Sequence, residues 1–360
     1  MAELVQFGGD NLRSVVRVDL TDVQQLNVLV GPNGAGKTSV LEGIHVLGSG
    51  RSFRSRQLAH VVRREAEFLR VTGRVRSAGG GEVHVGIERG PGGLEIRSGD
   101  KEIRRSSDLA RLLPLLVVRP ESYEVFSGPS EERRRTLDWT VFHVEPDFGS
   151  VFARYTRALR QRNALLRGGG VSRQVVAPWD AELAESGSHL DALRRSVLER
   201  CGERVGNGIQ CLTGVHVTMT YRRGWADDAE LSDALEGGFE SDRERGTTQR
   251  GPHRADLKFS VEGRDARQVL SRGEGKRLVL AFLLGVAKEV GLQRNNNPVF
   301  LLDDLASELD SDAREQFLSL VAESGFQTFI TAVDQSLIAP DFLSNSALFH
   351  VKQGVIARVL

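Results

Sequence analysis

Apolar and polar residues alternate through much of the first 120 residues, with the two-residue period of half-buried β-strands. Two such runs, at 68–75 and 82–88, are separated by glycines and predict an antiparallel hairpin. The shorter apolar runs Leu26–Val30 and Leu115–Val118 predict strands that are buried on both faces. The first third of the chain is therefore expected to be rich in β-structure.

Beyond about residue 130 the apolar positions recur every three to four residues instead, which is the helical period. Long helical stretches are predicted near 131–144, 147–168 and 180–212. Strand-like residues return at 215–221 and 255–261. The pattern predicts a helical insertion, after which the chain resumes an α/β arrangement.

A chain of 360 residues, 40% of them apolar, is long enough for about two domains. We predict an α/β domain built from residues 1–120 and 245–360, with a mainly helical lobe formed by residues 121–244. No apolar run approaches the roughly 20 residues that cross a bilayer, and the first residues do not resemble a signal peptide. A cytoplasmic protein is expected.

The charge balance and the cysteine content limit which binding surfaces, disulfides and metal sites the chain can have. The 48 basic and 48 acidic residues balance, so any DNA-binding surface must be a local patch. Cys201 and Cys211 are the only cysteines, too few for a disulfide framework and without metal-ligand partners at useful spacing. Both are expected to be reduced, and no metal other than Mg²⁺ is implied.

Directly after Leu26–Val30 the chain reads GPNGAGKT, which has the form G-x-x-x-x-G-K-[ST] and is followed by a helical stretch. In this context the backbone N–H groups and the helix start face phosphate oxygens. We expect Lys37 to neutralise the β- and γ-phosphates and Thr38 to offer its hydroxyl to Mg²⁺. The residues expected to bind ATP here are Gly31, Pro32, Asn33, Gly34, Ala35, Gly36, Lys37, Thr38 and Ser39. An ordinary glycine turn is the alternative.

A second apolar strand, Pro298 to Leu302, ends in the carboxylates Asp303 and Asp304. In phosphate-loop enzymes a strand of this kind lies beside the strand of the loop. We assign Asp303 to Mg²⁺ and Asp304, together with Lys37, to catalysis, with Asp304 activating water. A pair of helix-capping aspartates is the alternative.

A further helix start follows the motif Leu270-Ser271-Arg272-Gly273-Glu274-Gly275. A serine and glycines at such a position expose N–H groups and a hydroxyl that suit a phosphate. Taken alone, the segment is a capped helix.

The order of these parts resembles the ATP-binding-cassette ATPases, and particular segments resemble the RecF family of bacterial recombination mediators in the SMC-like branch. The segments that carry the resemblance are RSFR (51–54), RRRTLDW (133–139), GPHRADL (251–257), LSRGEGKR (270–277) and LLDDLASELD (301–310). The resemblance runs from end to end of the chain. It implies an ATPase head with mixed β-sheets around the phosphate loop, plus an inserted, mainly helical lobe.

The resemblance also implies a dimer with two ATP molecules held between the chains. Ser271, Gly273 and Gly275 would contact the γ-phosphate bound by the opposite protomer, and Ser307 with Asp310 would form the D-loop at the interface. This chain departs from the superfamily at three places. Asp304 stands where glutamate is usual. Ala332 lies in the segment where a switch histidine would be expected, and no Q-loop glutamine is evident near 119–121.

The function implied is that of an ATP-dependent DNA-binding recombination mediator with weak, DNA-stimulated ATPase activity. A homodimer closed by ATP and Mg²⁺ would clamp single- and double-stranded DNA at gaps or junctions. It would help RecO and RecR to load RecA during DNA repair, replication recovery and the SOS response. Two alternatives are the nucleotide-binding subunit of an ABC transporter and an SMC-type structural chromosome protein. The helical lobe and GPHRADL disfavour the first, and the lack of long heptads disfavours the second.

The arginines admit two interpretations: contacts to DNA phosphates, or solvated helix faces neutralised by nearby glutamates. The candidates are Arg51, Arg54, Arg56, Arg133, Arg134, Arg135, Arg154, Arg157, Arg160, Arg162, Arg194, Arg195, Arg200 and Arg204. His253 and Arg254 lie in a turn or a core-edge ion pair, and the sequence assigns them no role.

Overall fold

The structure, a computed structural model, describes residues 2–76, 80–294, 297–305 and 309–359. The chain divides into two compact units. The first is formed by Met1–Ser122 with Val290–Leu360, and the second by Tyr123–Glu289.

This division differs from the predicted domains at one end. The first boundary lies within two residues of the predicted one, but residues 245–289 pack in the second unit. The physical reason is strand pairing, since Asp256–Val261 forms a sheet with Thr218–Arg222. Whether residues 245–289 act as part of an ATPase head is a functional question, and that assignment stays a prediction.

An antiparallel sheet forms half of the first unit, in the order β2-β1-β4-β5-β6-β7. Its strands are β1 (Glu3–Leu12), β2 (Val15–Leu20), β4 (Leu69–Arg76), β5 (Glu82–Gly90), β6 (Gly93–Ser98) and β7 (Lys101–Glu102). The predicted hairpin is present, because β4 pairs with β5 in an antiparallel ladder. Part of the turn between them, at 77–79, lies outside the described residues.

A second sheet of the same unit has the order β15-β14-β3-β13-β12-β8. Its strands are β3 (Leu26–Val30), β8 (Leu115–Val118), β12 (Val299–Leu302), β13 (Thr328–Ala332), β14 (Ala347–Lys352) and β15 (Val355–Arg358). Neighbouring strands are parallel except β14 and β15. Every residue of β3, β12 and β13 is buried, as expected of parallel strands covered on both faces. Their carboxyl ends meet at one edge of the sheet.

The helices of the first unit are α1 (Lys37–Ser49), α2 (Ser106–Leu112), α11 (Ser311–Glu323) and α12 (Pro340–Ser344), with short 3₁₀ turns at Leu58–Val61, Pro120–Tyr123 and Gln335–Leu337. Ile44 of α1 shares one buried cluster with Phe7 of the antiparallel sheet and Phe329 of the parallel sheet. Gly43 permits this close packing, since a Cβ there would lie 2.8 Å from the Phe7 ring.

The second unit is mainly helical. Its helices are α3 (Glu124–Ser127), α4 (Ser130–Val144), α5 (Phe148–Arg167), α6 (Arg173–Thr213), α7 (Leu231–Gly237), α8 (Phe239–Arg245), α9 (Ala266–Val269) and α10 (Arg272–Arg294, which ends in the first unit), with a 3₁₀ turn at Pro252–Arg254. Strands β9 (Thr218–Arg222), β10 (Asp256–Val261) and β11 (Arg264–Asp265) form an antiparallel sheet in the order β11-β10-β9. Helix α6 begins seven residues before the predicted start at 180, with Pro178 accommodated near its beginning.

Cys201 is buried and Cys211 is exposed, and the structure places neither in a disulfide. Among the described residues, no helix is both long enough and apolar enough to span a membrane.

Candidate nucleotide-binding site

The phosphate loop, Gly31–Thr38, connects the end of β3 to the start of α1. Gly36 has φ 111°, a left-handed conformation that favours glycine. Gly31 has no room for a side chain, because a Cβ there would lie 2.1 Å from the Val351 carbonyl oxygen. Its own N–H donates to the carbonyl of Ala332 at 3.2 Å. Two glycines of the motif are thus required by backbone geometry and by the neighbouring strands.

Lys37 is almost fully buried at the start of α1. Its Nζ donates to the carbonyl oxygens of Gly31 at 2.7 Å and Pro32 at 3.1 Å. Burial lowers the pKa of Lys37, and the nearby carboxylates of Asp304 and Asp303 oppose that shift. The ammonium is therefore held against the loop, with carboxylates nearby to keep it charged.

Asp303 reaches the phosphate loop, but the prediction that its strand lies beside the strand of the loop was wrong, because β13 lies between β3 and β12. The Thr38 hydroxyl donates to Asp303 Oδ1 at 2.9 Å, across 265 positions of sequence. Thr331, at the end of β13, donates to the same oxygen at 2.9 Å. Burial raises the pKa of Asp303, while the hydroxyls of Thr38 and Thr331 oppose the rise. The two halves of the predicted site therefore form one cluster.

These residues surround a pocket of about 370 Å³. It is lined by Arg13, Ser14, Asn33, Gly34, Gly36, Lys37, Thr38, Ser39, Arg54, Asp304 and Thr331. Gly31, Pro32 and Ala35 belong to the same loop, in which the Ala35 N–H donates to the Pro32 carbonyl at 3.2 Å. Sequence reasoning missed Arg13, Ser14 and Thr331, and it considered Arg54 only as a DNA contact or a solvated charge. Nothing local marks the first three. The pairing of β13 with β3 brings Thr331 to the loop, and Arg13 and Ser14 come from the turn between β1 and β2 in the other sheet.

Glu42, fully buried on α1, holds the rim of this pocket together. Arg13 donates to its two oxygens at 2.6 and 2.7 Å. The Ser52 hydroxyl also donates to Glu42, and Arg54 lies 3.9 Å from it. The RSFR segment is thus attached to the helix that follows the phosphate loop.

The signature segment, Leu270–Arg277, lies in the second unit and begins α10. The Ser271 hydroxyl and N–H both donate to Glu274 Oε2, at 2.7 and 2.8 Å, while the Glu274 N–H lies 3.3 Å from the Ser271 hydroxyl. This reciprocal arrangement is a capping box. It lowers the pKa of Glu274. The capped helix suggested by the sequence is present, and the contact of Ser271 with a phosphate stays a prediction.

The two glycines of the signature segment differ in surroundings. A Cβ on Gly275 would lie 2.8 Å from the Phe126 ring, whereas a Cβ on Gly273 would meet nothing within 4 Å. Gly275 is therefore required for packing within its own unit, and Gly273 is not.

This difference gives a matched pair of variants. We expect Gly275→Ala to lower the melting temperature, because overpacking costs roughly 1–3 kcal/mol, and Gly273→Ala to leave it unchanged or slightly raised. If Gly273 contacts a phosphate of a second protomer, Gly273→Ala will still lose ATP hydrolysis. Thermal unfolding and ATPase assays on both variants check this. Normal hydrolysis by Gly273→Ala would remove that residue from the site.

Only part of the predicted D-loop lies within the described residues. Ser307 lies outside the described residues. Asp310 precedes α11, and its carboxylate accepts a hydrogen bond from the Ala313 N–H at 2.9 Å. That contact caps a helix, and the proposed interface role of Asp310 stays a prediction.

His253 has a structural position that the sequence left open. Its Nε2 lies 3.0 Å from the Thr248 carbonyl and its Nδ1 lies 2.6 Å from the Tyr155 hydroxyl. Because a carbonyl only accepts, Nε2 carries the proton and Nδ1 accepts from Tyr155. Burial lowers the pKa of His253 to about 4. The ring is a neutral part of the core, and Arg254 bonds the same carbonyl at 3.2 Å.

Several candidate DNA-binding arginines prove to be internal. Arg162 is fully buried between Asp180 at 2.5 Å and Asp242 at 2.6 Å. Arg194 pairs with Asp138 at 2.8 Å, and it also donates to the Pro252 carbonyl. Both interpretations were wrong for Arg162 and Arg194, because their side chains are buried and reach neither solvent nor a surface where DNA could bind. Buried guanidinium groups need such partners, since an unpaired buried charge is costly.

Most of the remaining arginines on the long helices have partners. The pairs are Arg133–Asp256, Arg135–Glu131, Arg154–Glu182, Arg195–Asp191, Arg200–Glu145 and Arg204–Glu289. Arg134 donates to the Ala255 carbonyl at 2.6 Å. Within the part of the chain that the structure describes, Arg157 and Arg160 are exposed and form no ion pair.

Known proteins resemble this chain over nearly its whole length. The family model described as "RecF/RecN/SMC N terminal domain" matches residues 4–357. A protein named DNA replication and repair protein RecF from Pseudomonas fluorescens Pf-5 is 39% identical over 353 residues, which are 96% of this chain and 96% of that protein. The chain belongs to the RecF family. A protein of the same name from Pseudomonas syringae pv. tomato is 38% identical over the same shares.

Solved structures agree with the fold. The structure described as the recombination mediator protein RecF-ATP in the RecFOR pathway matches with a TM-score of 0.89 and 25% identity, over 100% of this chain and 98% of that one. An Smc head bound to the C-winged helix domain of ScpA matches with a TM-score of 0.62 and 14% identity, over 99% and 97% of the two chains, which shows the fold alone. The predicted fold class, an ATP-binding-cassette-type head with mixed sheets and helical segments, is confirmed.

Proposed function

We propose that this RecF-family chain is an ATP-dependent DNA-binding protein with weak ATPase activity. The observation that carries the proposal is the 2.9 Å contact between Thr38 and Asp303, which joins the phosphate loop to the strand-end carboxylate. ATP would lie over the loop, with Lys37 beside its β- and γ-phosphates. A solved relative is described as a RecF-ATP structure, which supports the choice of nucleotide.

The oxygens of Thr38 and Asp303 suit Mg²⁺, which prefers hard oxygen ligands. We assign the ion to these two residues, and when bound it supplies charge neutralisation at the phosphates. Asp304 lines the pocket and would orient or deprotonate the attacking water. Its side chain is one methylene shorter than the glutamate usual in the superfamily, so we expect slow hydrolysis.

We further propose that the ATP state is a homodimer. Ser271, Gly273 and Gly275 of one protomer would contact the γ-phosphate held by the other, with Ser307 and Asp310 at the interface. The position of Ser271 at the start of α10 supports this role, because a helix N-terminus attracts anions. An incoming γ-phosphate would replace Glu274 as the acceptor of the Ser271 hydroxyl. Gel filtration with ATP, ADP and no nucleotide tests it, since only ATP should produce the dimer.

For DNA, we propose that the basic segment 51–64 contacts backbone phosphates. It holds five arginines and no acidic residue. Arg51, Arg56 and Arg64 are exposed, and their guanidinium groups form no ion pair within the described ranges. Because Ser52 and Arg54 approach Glu42 of α1, the segment is attached to the nucleotide site. Arg157 and Arg160 are further candidates.

Reversing two of these charges should weaken DNA binding without affecting ATP. We expect Arg56→Glu with Arg64→Glu to lower DNA affinity at least tenfold and to reduce the slope of log K against log salt by about 2. Fluorescence anisotropy in ATP across a salt series measures both quantities. Arg97→Glu with Arg104→Glu, an equal charge change at exposed positions of the same unit, is the matched control. Equal losses in both double variants would refute a specific role for the segment.

The description of a solved relative supports a proposal for the protein partners, the role and the cellular location of this chain. One solved relative is placed in the RecFOR pathway, so we propose RecO and RecR as partners, loading of RecA at gaps and junctions as the role, and the cytoplasm as the location. A transporter subunit would show no ATP-dependent preference for such DNA, and the lack of long heptads already disfavours an SMC-type structural protein. Binding to gapped and fully duplex DNA, with and without ATP, distinguishes these possibilities.

A further inference from the structure

Thr331 is a buried residue whose one hydroxyl contacts both aspartates of the nucleotide site. Only 1% of its surface is exposed. The hydroxyl donates to Asp303 Oδ1 at 2.9 Å and accepts a hydrogen bond from the Asp304 N–H at 2.8 Å. A hydroxyl carries one donor and two acceptor positions, so a single side chain can serve both groups.

Strand register explains how Thr331 reaches these aspartates. Strands β12 and β13 are parallel, and Leu302 pairs with Ile330. The next residues along the two strands are Asp303 and Thr331, so both lie at the carboxyl edge of the sheet. Functional residues gather at this edge in open α/β sheets.

The backbone of Asp304 makes the second contact significant. Asp304 has φ 53°, in the left-handed region that residues other than glycine rarely adopt. Such a conformation persists only where the surroundings hold it. The hydrogen bond from the Asp304 N–H to Thr331 is one restraint of that kind, and the turn it restrains sets where the Asp304 carboxylate leaves the backbone.

We propose that Thr331 is a positioning residue. It fixes the carboxylate of Asp303, which we assign to Mg²⁺, relative to Asp304, which we assign to the activation of water. This inference rests on the proposed ATPase function. Thr38 also donates to Asp303, but that hydroxyl is needed by the metal ion, whereas Thr331 remains available to hold Asp303. With a short aspartate at the water position, correct backbone placement matters more than it would for a longer glutamate.

The test compares variants that keep or remove the hydroxyl. Thr331→Val preserves shape but cannot hydrogen-bond, and Thr331→Ser keeps the hydroxyl. Thr328→Val is the matched control: Thr328 is buried on the same strand, and its hydroxyl donates to the Phe326 carbonyl, away from the aspartates. We expect Thr331→Val to lower kcat about 10- to 100-fold, as loss of hydrogen bonds to a charged group implies, while Thr331→Ser and Thr328→Val stay within about threefold of the parent.

A second readout does not depend on activity. Hydrogen–deuterium exchange of a peptide covering residues 299–305, in the absence of nucleotide, should be faster in Thr331→Val than in the parent or Thr331→Ser. If Thr331→Val does not fold, Thr331→Ala is measured instead, at a temperature where circular dichroism shows the native helix content.

Three results decide the matter. Parent-like kcat and parent-like exchange in Thr331→Val would overturn the inference and leave the ATPase proposal intact. Equal defects in Thr331→Val and Thr331→Ser would also overturn it, because the hydroxyl would then not be the relevant group. If the parent chain itself fails to bind or hydrolyse ATP, the proposed function fails and this inference fails with it.

Discussion

Replacing Lys37 with alanine will lower ATP hydrolysis by about 10² to 10³-fold, the loss typical when one preorganised charge is removed from a reacting phosphate. The Lys37 ammonium is almost buried, and it already lies against two carbonyls of the phosphate loop. No other lysine lines the pocket among the described residues. Steady-state phosphate release measures ATP hydrolysis, and equilibrium binding of a fluorescent ATP analogue measures nucleotide affinity.

Lys101→Ala, at an exposed position of the same unit, is the control for the loss of one positive charge. Lys37→Arg adds a second comparison, because it keeps the charge on a larger group that the loop carbonyls must accommodate. Hydrolysis by Lys37→Ala at the rate of Lys101→Ala would show that the phosphate loop does not bind the reacting nucleotide.

Asp304→Asn should separate binding from hydrolysis. We expect at least a 100-fold loss of hydrolysis, since the amide cannot accept a proton from water, with ATP affinity within a few-fold of the parent. The ATP-bound dimer should persist for longer, because its opening depends on hydrolysis. Single-turnover hydrolysis and gel filtration in ATP measure these outcomes.

Asp303→Asn is the informative comparison for this variant. It removes the carboxylate that we assign to Mg²⁺, so it should weaken nucleotide binding in Mg²⁺ while changing binding in EDTA much less. If Asp304→Asn hydrolyses ATP at the parent rate, Asp304 takes no part in activating water. If both variants behave alike, the division of roles between the two aspartates is incorrect.

The approach of Thr38 to Asp303 was predictable because each of the two segments carries a local signal. The motif at 31–38 and the apolar strand ending in Asp303 each carry their chemistry within a few residues. The hairpin of β4 and β5 was predictable for the same reason, since alternation and glycines specify it. Where a short stretch of sequence determines the geometry, reading it alone is sufficient.

The predictions that failed depend on residues distant in sequence. Arg162 carries the same local pattern as an exposed arginine on a helix, and only folding brings Asp242 to it, 80 positions later. Thr331 looks like an ordinary strand residue until the register of β12 and β13 places it beside Asp303. The packing of residues 245–289 with the second unit also depends on a strand pairing that local periodicity does not encode, although their assignment to an ATPase head stays a prediction.

The position of β3 has a consequence for the order of folding. This strand is complete by residue 30, yet its two neighbours in the sheet are β13, which begins at residue 328, and β14, which begins at residue 347. Contacts over such separations form slowly, because a long loop must close before they contribute any stability. During synthesis β3 must therefore wait without its two neighbouring strands for nearly the whole chain, at about 5–20 residues per second. Newly made chains of this protein should depend on chaperones over that interval, and a nascent chain that ends before β13 cannot yet hold the strand that positions the phosphate loop.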